Sequence, residues 1–315
     1  VSVDEAVRPP ALQPGDLVMV VSPSGPAPPE RVAAGIELLR SWGLRPVPAP
    51  HAFDHHGYLA GTDADRLDDL NAAFADPEVR AVVVTRGGYG VQRIVDRIDM
   101  NAVRRDPKPV IGFSDITALQ LALWRGARLA CLYGPGVAWR PERTGAESEQ
   151  SVQAALMTTE PVVIKQQPSA QTTPASRLGA AGLPGTATGP LLGGNLTLLA
   201  STVGTHDFPD LTGAVLLLED VDEPPYRVDR MLTQLRRAGV LAGVAGVAVG
   251  QFTRCTDQWT TDVADVLGER LGDLRVPVLG GLPIGHGTEQ LTVPVGVPAT
   301  LDVAGATLTV FAAVR

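Results

Sequence analysis

Very little in this chain of 315 residues points to covalent stapling, nucleic acid or a membrane. Its two cysteines, Cys131 and Cys255, stand 124 positions apart and suggest no disulfide framework. Basic residues are outnumbered, 26 Lys and Arg against 34 Asp and Glu, for a formal net charge of −8, and no basic run offsets the excess. Phosphate binding wants a clustered basic surface, so the balance argues against a nucleic-acid partner. Long apolar runs are also missing. Residues 178–205 are uncharged but hold seven glycines and two prolines, and residues 238–253 are only 16 long. A membrane span needs roughly 20 strongly apolar residues. Val1-Ser2-Val3-Asp4-Glu5 lacks the basic start and apolar core of a signal peptide. The expectation is a soluble, cytoplasmic protein without membrane attachment.

Several motifs are absent too. There is no His-Glu-x-x-His and no paired-cysteine spacing. His51-Ala52-Phe53-Asp54-His55-His56 sets metal-ligand types in a row, but adjacent histidines seldom face one site, so no metal is expected. Arg86-Gly87-Gly88-Tyr89-Gly90 lacks the Gly-Lys-Ser/Thr of a phosphate loop and the third glycine of a dinucleotide fingerprint.

What is present is a globular composition, 44% hydrophobic and 19% charged, long enough for two domains. The first half alternates strand and helix patterns. Strands are predicted at 16–21, 45–47, 81–85 and 109–113, and helices at 29–42, 66–74, 92–98 and 115–124. Continuous apolar strands separated by helices predict an α/β fold, with a parallel sheet covered on both faces. Ligands of such sheets bind beyond the carboxyl ends of the strands, where Ser22-Pro23-Ser24, the glycine loop at 86–90 and Ser114-Asp115 fall. Periodicity fades from 140 to 190, and Gln166 to Pro174 reads as a linker or surface loop. The expected division is an N-terminal α/β domain at 1–155, a linker at 156–188 and a C-terminal domain at 189–315. That last domain holds strands at 214–218 and 244–249, a helix at 227–238 and a tail, 292–310, that alternates like antiparallel strands.

Three apolar runs each end on one reactive residue. They are Val110-Ile111-Gly112-Phe113-Ser114, Val215-Leu216-Leu217-Leu218-Glu219 and Leu282-Pro283-Ile284-Gly285-His286. A serine, a carboxylate and a histidine supply a nucleophile, a group to orient the base, and the base itself. Each has a plainer reading. Ser114 followed by Asp115 suits a helix N-cap, and only half of a nucleophile elbow is present, since Ile116 stands where a second glycine would. Glu219 opens a cluster with Asp220, Asp222 and Glu223 that suits a solvated loop, and His286 suits a surface loop between two glycines. The glycines at 87, 88 and 90 either form a plain turn or expose N–H groups to an anion.

Taken together, the segments resemble the LD-carboxypeptidase family of serine peptidases, which includes the microcin-immunity-type peptidases. The resemblance rests on Thr85-Arg86-Gly87-Gly88-Tyr89-Gly90, Ile111-Gly112-Phe113-Ser114-Asp115-Ile116-Thr117-Ala118-Leu119, Gly134-Pro135 and Leu192-Gly193-Gly194-Asn195-Leu196. It continues through Leu218-Glu219-Asp220-Val221-Asp222-Glu223-Pro224, Arg230-Met231-Leu232 with Gln234-Leu235, Gly285-His286-Gly287 and Leu291-Thr292-Val293-Pro294-Val295-Gly296. The resemblance implies a flavodoxin-like N-terminal domain and a smaller β-rich C-terminal domain, with the site between them. It implies Ser114 as nucleophile, His286 as general base, Glu219 as its orienting acid, and the N–H groups of Gly88 and Asp115 as the oxyanion hole. The implied reaction removes a terminal D-amino acid, D-alanine, from a murein tetrapeptide during peptidoglycan recycling, with no metal or organic cofactor. Arg86, Tyr89 and Asn195, the last in a Gly-Gly-Asn turn, are the candidate substrate contacts. Members of the family often form homodimers, and the helix at 226–238 is the candidate contact.

Two rival readings stand beside this one. A microcin-immunity-type relative would cleave a peptidyl- or aminoacyl-nucleotide conjugate, with Trp139 stacking on the base. A non-catalytic protein would use the same cleft to hold a small peptide or anion.

Overall fold

The computed structural model describes residues 6–140, 144–167, 183–259 and 261–315. The N-terminal half begins with β1 (Leu17–Val21), α1 (Pro29–Ser41), β2 (Arg45–Pro48), α2 (Asp63–Ala75) and β3 (Val79–Val84). It continues with α3 (Met100–Arg105), β4 (Val110–Gly112), α4 (Ile116–Ala127), β5 (Cys131–Tyr133) and α5 (Ala146–Met157). Local chemistry sets these boundaries. Pro29 starts α1 at a position where a missing N–H costs nothing. Thr62 and Asp65 close a capping box at the head of α2. Buried β-branched residues, Val18, Val20, Val82 and Val84, fill the strands from both faces.

The remaining elements are β6 (Val162–Lys165), β7 (Thr186–Asn195), α6 (Leu196–Thr202), β8 (Val215–Val221), α7 (Pro225–Arg237), β9 (Gly246–Thr253) and α8 (Val263–Gly272). Then come β10 (Val278–Leu279), β11 (Val293–Val295), β12 (Pro298–Asp302) and β13 (Thr307–Val310).

The strands form two sheets. The first has the order β11-β5-β4-β3-β1-β2. Its five N-terminal strands are parallel and follow the flavodoxin-like 2-1-3-4-5 order. The second has the order β10-β9-β8-β7-β12-β13-β6, with β7 to β10 parallel and the other three antiparallel. Period-two alternation divides its interior strand β8 between two cores. Val215 and Leu217 join the core shared with the first sheet, whereas Leu216 and Leu218 pack with Leu199, Val228, Leu232 and Leu267 of α6 to α8. Each fully buried leucine or valine contributes about 1.5–3 kcal/mol.

The α/β architecture is as expected, with several local differences. Residues 92–98 form two short 3₁₀ turns, Val91–Arg93 and Val95–Arg97, instead of an α-helix. The regular helix begins later, at α3, where the Asp99 carboxylate accepts from the N–H groups of Asn101 and Ala102. The stretch expected as a linker carries β6 at its start, as the outer strand of the second sheet, and β7 begins at Thr186 before it ends. Much of the predicted loop at 166–174 lies outside the described residues. Gly193-Gly194-Asn195 is the end of β7 rather than a turn, and Asn195 caps α6. The tail does not stay with the second sheet throughout, because β11 crosses back to pair with β5, Val293 opposite Tyr133.

Candidate active site

The carboxyl ends of β1, β3 and β4 converge on the topological switch point of the first sheet. Ser114 follows β4 with φ 65°, a left-handed conformation that costs a non-glycine residue about 1–2 kcal/mol. This is the sharp strand-to-helix turn of a nucleophile elbow, reached without its second glycine. The β3 loop lies directly over it: a Cβ added at Gly87 would stand 2.8 Å from Ser114 Cβ and 3.2 Å from its Oγ. Gly88 has φ 140° and presses on the loop after β1, where a Cβ would meet Gly25 N at 3.1 Å.

Two buried side chains lock these loops. The Asp115 carboxylate accepts from Ser24 Oγ at 2.6 Å and from Val91 N–H at 3.1 Å. Burial raises its pKa above the ordinary value, and those two donors oppose the rise. Arg66, 1% exposed, donates to the carbonyls of Pro23 and Gly90 and pairs with Asp63. The N–H groups of Gly88 and Asp115 donate to no protein acceptor among the described residues.

The second sheet brings the other half. Glu219 near the end of β8 is fully buried, and its Oε2 meets His286 Nδ1 at 2.7 Å. His286 sits on the loop after β10, tilted at 50° against Phe113 with ring centroids 4.8 Å apart. Gly285 makes the contact possible, since a Cβ there would stand 2.4 Å from Glu219 Oε2. Gln251 holds the loop from below, accepting Gly287 N–H at 2.8 Å and donating to the Thr288 carbonyl at 3.3 Å. Oε1 of Glu219 accepts from Tyr133 Oη at 2.5 Å and from Asn195 Nδ2 at 3.2 Å. Burial first, then the charge and hydrogen bond of Glu219, hold the Tyr133 phenol well above its usual pKa, so it stays a donor.

Ser114 and His286 line one cavity of about 350 Å³ between the sheets, together with Gly87, Gly88, Phe113 and Trp139. Arg31, Arg86, Arg140 and Arg254 also line it, against one carboxylate, Asp222, which pairs with Arg254 at 2.6 Å. No direct hydrogen bond joins Ser114 Oγ to His286 among the described residues. Such contacts tighten when substrate is bound. The geometry can deliver an activated hydroxyl, a base with a fixed tautomer and a pair of N–H donors.

The three expected substrate contacts occupy different places. Arg86 lines the cavity, but its guanidinium donates to the carbonyls of Gly87 and Pro26 at 3.0 and 3.5 Å. Tyr89 lies outside the cavity, 52% exposed and edge-on to Tyr58 over a neighbouring groove. Asn195 is 2% exposed, and its amide bonds Glu219, Asp220 and the N–H of Leu198 rather than facing the cavity. His51, Asp54 and Asp65 bring ligand-type atoms within 4.8 Å of one another. Each is already engaged, His51 with Asp54 at 2.8 Å and Asp65 in the capping box.

Tyr133, Arg66 and Gln251 escaped the sequence reading, and Ser24 entered it only as part of a strand-end loop. Gln251 leaves a trace, one amide interrupting the apolar run from Val247 to Phe252. Tyr133 and Arg66 leave none, because their roles depend on which loops meet in space.

A doubly wound sheet and a second, mixed sheet thus bring Ser114 and the Glu219-bonded His286 to one cavity. Residues 18–134 match the model of the LD-carboxypeptidase N-terminal domain, and residues 188–301 match that of the LD-carboxypeptidase C-terminal domain. The chain is 46% identical to a putative carboxypeptidase of Streptomyces coelicolor, over 97% of this chain and 96% of that protein. It is 35% identical to a probable murein peptide carboxypeptidase of Bacillus subtilis, over 98% and 95%. The MccF-like protein of Bacillus anthracis shares the fold, with a TM-score of 0.87 at 24% identity over 98% of this chain and 100% of the other. The protein belongs to the LD-carboxypeptidase family.

Proposed function

We propose that the protein is a serine carboxypeptidase that hydrolyses the amide linking an L-centre to the terminal D-alanine of a murein tetrapeptide. The observation that carries the mechanism is the 2.7 Å contact of His286 Nδ1 with buried Glu219, on the same cavity as Ser114 at φ 65°. With Nδ1–H given to Glu219, the other ring nitrogen is the basic one. It takes the Ser114 proton as Oγ attacks the carbonyl, then returns that proton to the departing D-alanine amine. Water attacks the resulting ester by the same route in reverse, releasing the shortened peptide and restoring Ser114. The N–H groups of Gly88 and Asp115 receive the oxyanion, a contribution of about 3–4 kcal/mol for each donor in comparable sites. The substrate class is supported by the B. subtilis relative's name and by the arginine-lined wall, which suits a peptide bearing free carboxylates.

One observation favours a second substrate. Trp139 lines the same cavity and offers a stacking face for the base of a peptidyl- or aminoacyl-nucleotide conjugate. A mass-spectrometric time course with tetrapeptides ending in D-alanine or L-alanine and with an aminoacyl-nucleotide conjugate, run beside Ser114→Ala, tests both readings. D-alanine release by the unsubstituted protein alone is the expected result. No release from folded protein, with turnover of a nucleotide conjugate, transfers the same machinery to the second substrate.

A further inference from the structure

Tyr133 is the last residue of β5, fully buried, and its hydroxyl touches both halves of the site. It donates to Glu219 Oε1 at 2.5 Å and accepts the backbone N–H of Ser114 at 3.3 Å. The first bond reaches the carboxylate of the second sheet, and the second reaches the strained elbow of the first. The ring is boxed in to hold that position. Phe113 meets it edge-on at 6.3 Å, and Gly194, at φ 139°, leaves space that a Cβ would close to 2.7 Å from Tyr133 Cε2. Across the strand pair Tyr133 faces Val293, on the segment that follows the His286 loop.

From these contacts we infer that Tyr133 is a positioning residue of the reaction, setting the register of the Ser114 elbow against the Glu219–His286 pair. The inference rests on the serine-peptidase reading above. Two consequences follow from the direction of the hydrogen bonds. With Oε1 of Glu219 engaged by Tyr133 and Asn195, only Oε2 faces the imidazole, so the carboxylate cannot rotate away from His286. The Ser114 N–H is committed to the phenol oxygen, so it is withdrawn from the oxyanion hole and left to fix the elbow. In Tyr133→Phe the ring and its packing remain, but Glu219 Oε1 keeps only the 3.2 Å bond from Asn195 and the elbow N–H loses its acceptor.

The test measures kcat and KM of Tyr133→Phe on a D-alanine-terminated tetrapeptide, together with the rate at which a small fluorophosphonate labels Ser114. Because Tyr133 does not line the cavity, kcat should fall by about 10- to 100-fold with KM held within twofold. Labelling, which uses no peptide contacts, should slow by a similar factor. A kcat within twofold of the unsubstituted protein, or a KM that rises in step with the loss, overturns the assignment. Should Tyr133→Phe fail to fold by circular dichroism, 3-fluorotyrosine placed at 133 keeps the ring and makes the hydroxyl more acidic. A change of threefold or more in kcat at constant KM then supports the role, and no change refutes it. Ser114→Ala run alongside separates the two levels. Turnover by that variant sinks the nucleophile reading itself, whereas an inert Ser114→Ala beside an unaffected Tyr133→Phe sinks only the role of Tyr133.

Discussion

The two sheets prepare their reactive residues by different physical means. At the end of the first sheet the device is backbone: Ser114 at φ 65°, with glycines at 87 and 88 bringing a second loop against it. In the second sheet the device is a buried side-chain network, in which Glu219 is bonded by His286, Tyr133 and Asn195, and Asp220 by Asn195, Thr197 and its own neighbour Val221. A backbone device fails when atoms are added, because a Cβ has nowhere to go. A side-chain network fails when atoms are removed, because a buried polar group left alone costs its full desolvation.

Substitution at Ser114 tests the first device most severely. Ser114→Gly should abolish turnover, a loss of at least about 10⁴-fold in kcat. It should also raise folding stability by about 1 kcal/mol, because glycine occupies φ 65° without strain. Urea unfolding reads the second effect, and a less stable Ser114→Gly would show that no strain is stored there. Gly285→Ala comes next in size and crosses the comparison, since it adds an atom to the side-chain network. The new Cβ would stand 2.4 Å from Glu219 Oε2, so Glu219 and His286 must part, and kcat should fall about 10²-fold. Steady-state kinetics that leave kcat intact would mean the loop can absorb the clash.

The smallest effect concerns pH. Burial, then the charge of Glu219, pushes Asp220 from 3.8 up to about 6. The folded state therefore binds this proton more tightly than the unfolded chain between about pH 4 and pH 6. This group's contribution to stability falls as pH rises through that window and levels off above about 6. The donors from Asn195, Thr197 and Val221 already hold the pKa down to that level, so the span is about 3 kcal/mol at most. Asp220→Asn should thus gain stability relative to the unsubstituted protein between pH 4.5 and 7.5. Urea unfolding at the two pH values gives the difference, and a parallel shift at both would remove Asp220 from the account.

The same contrast explains what could be read from the chain alone. The glycine loop and the residues ending the apolar runs were visible because backbone devices write themselves into sequence as glycines at fixed offsets. Ser114, Glu219 and His286 could be singled out because each ends an apolar run, and the structure places Ser114 and His286 on one cavity with Glu219 bonded to the histidine. The network was not visible. Tyr133 is the end of an unremarked three-residue strand, and Arg66 is a fully buried cation where the sequence shows only the start of a predicted helix. Asn195 was given to substrate because an asparagine after two glycines suggests a turn, whereas those glycines end a strand. Each of these roles comes from long-range contacts, 86 residues in the case of Tyr133 and Glu219, to which local periodicity is blind.

The return of β11 to the first sheet bears on how the protein is made. A chain emerging from the ribosome can pair β1 to β5 early, since all five lie within the first 133 residues. The outer edge of β5 then waits, unpaired, until Val293 to Val295 have been synthesised. That delay exposes a strand edge to other nascent chains, a known route to aggregation. It also means that docking of β11 covers the β5 edge in the same event that draws the preceding His286 loop towards Tyr133. A truncation ending before residue 293 should therefore depend on chaperones for its N-terminal half, and not merely lack a C-terminal strand.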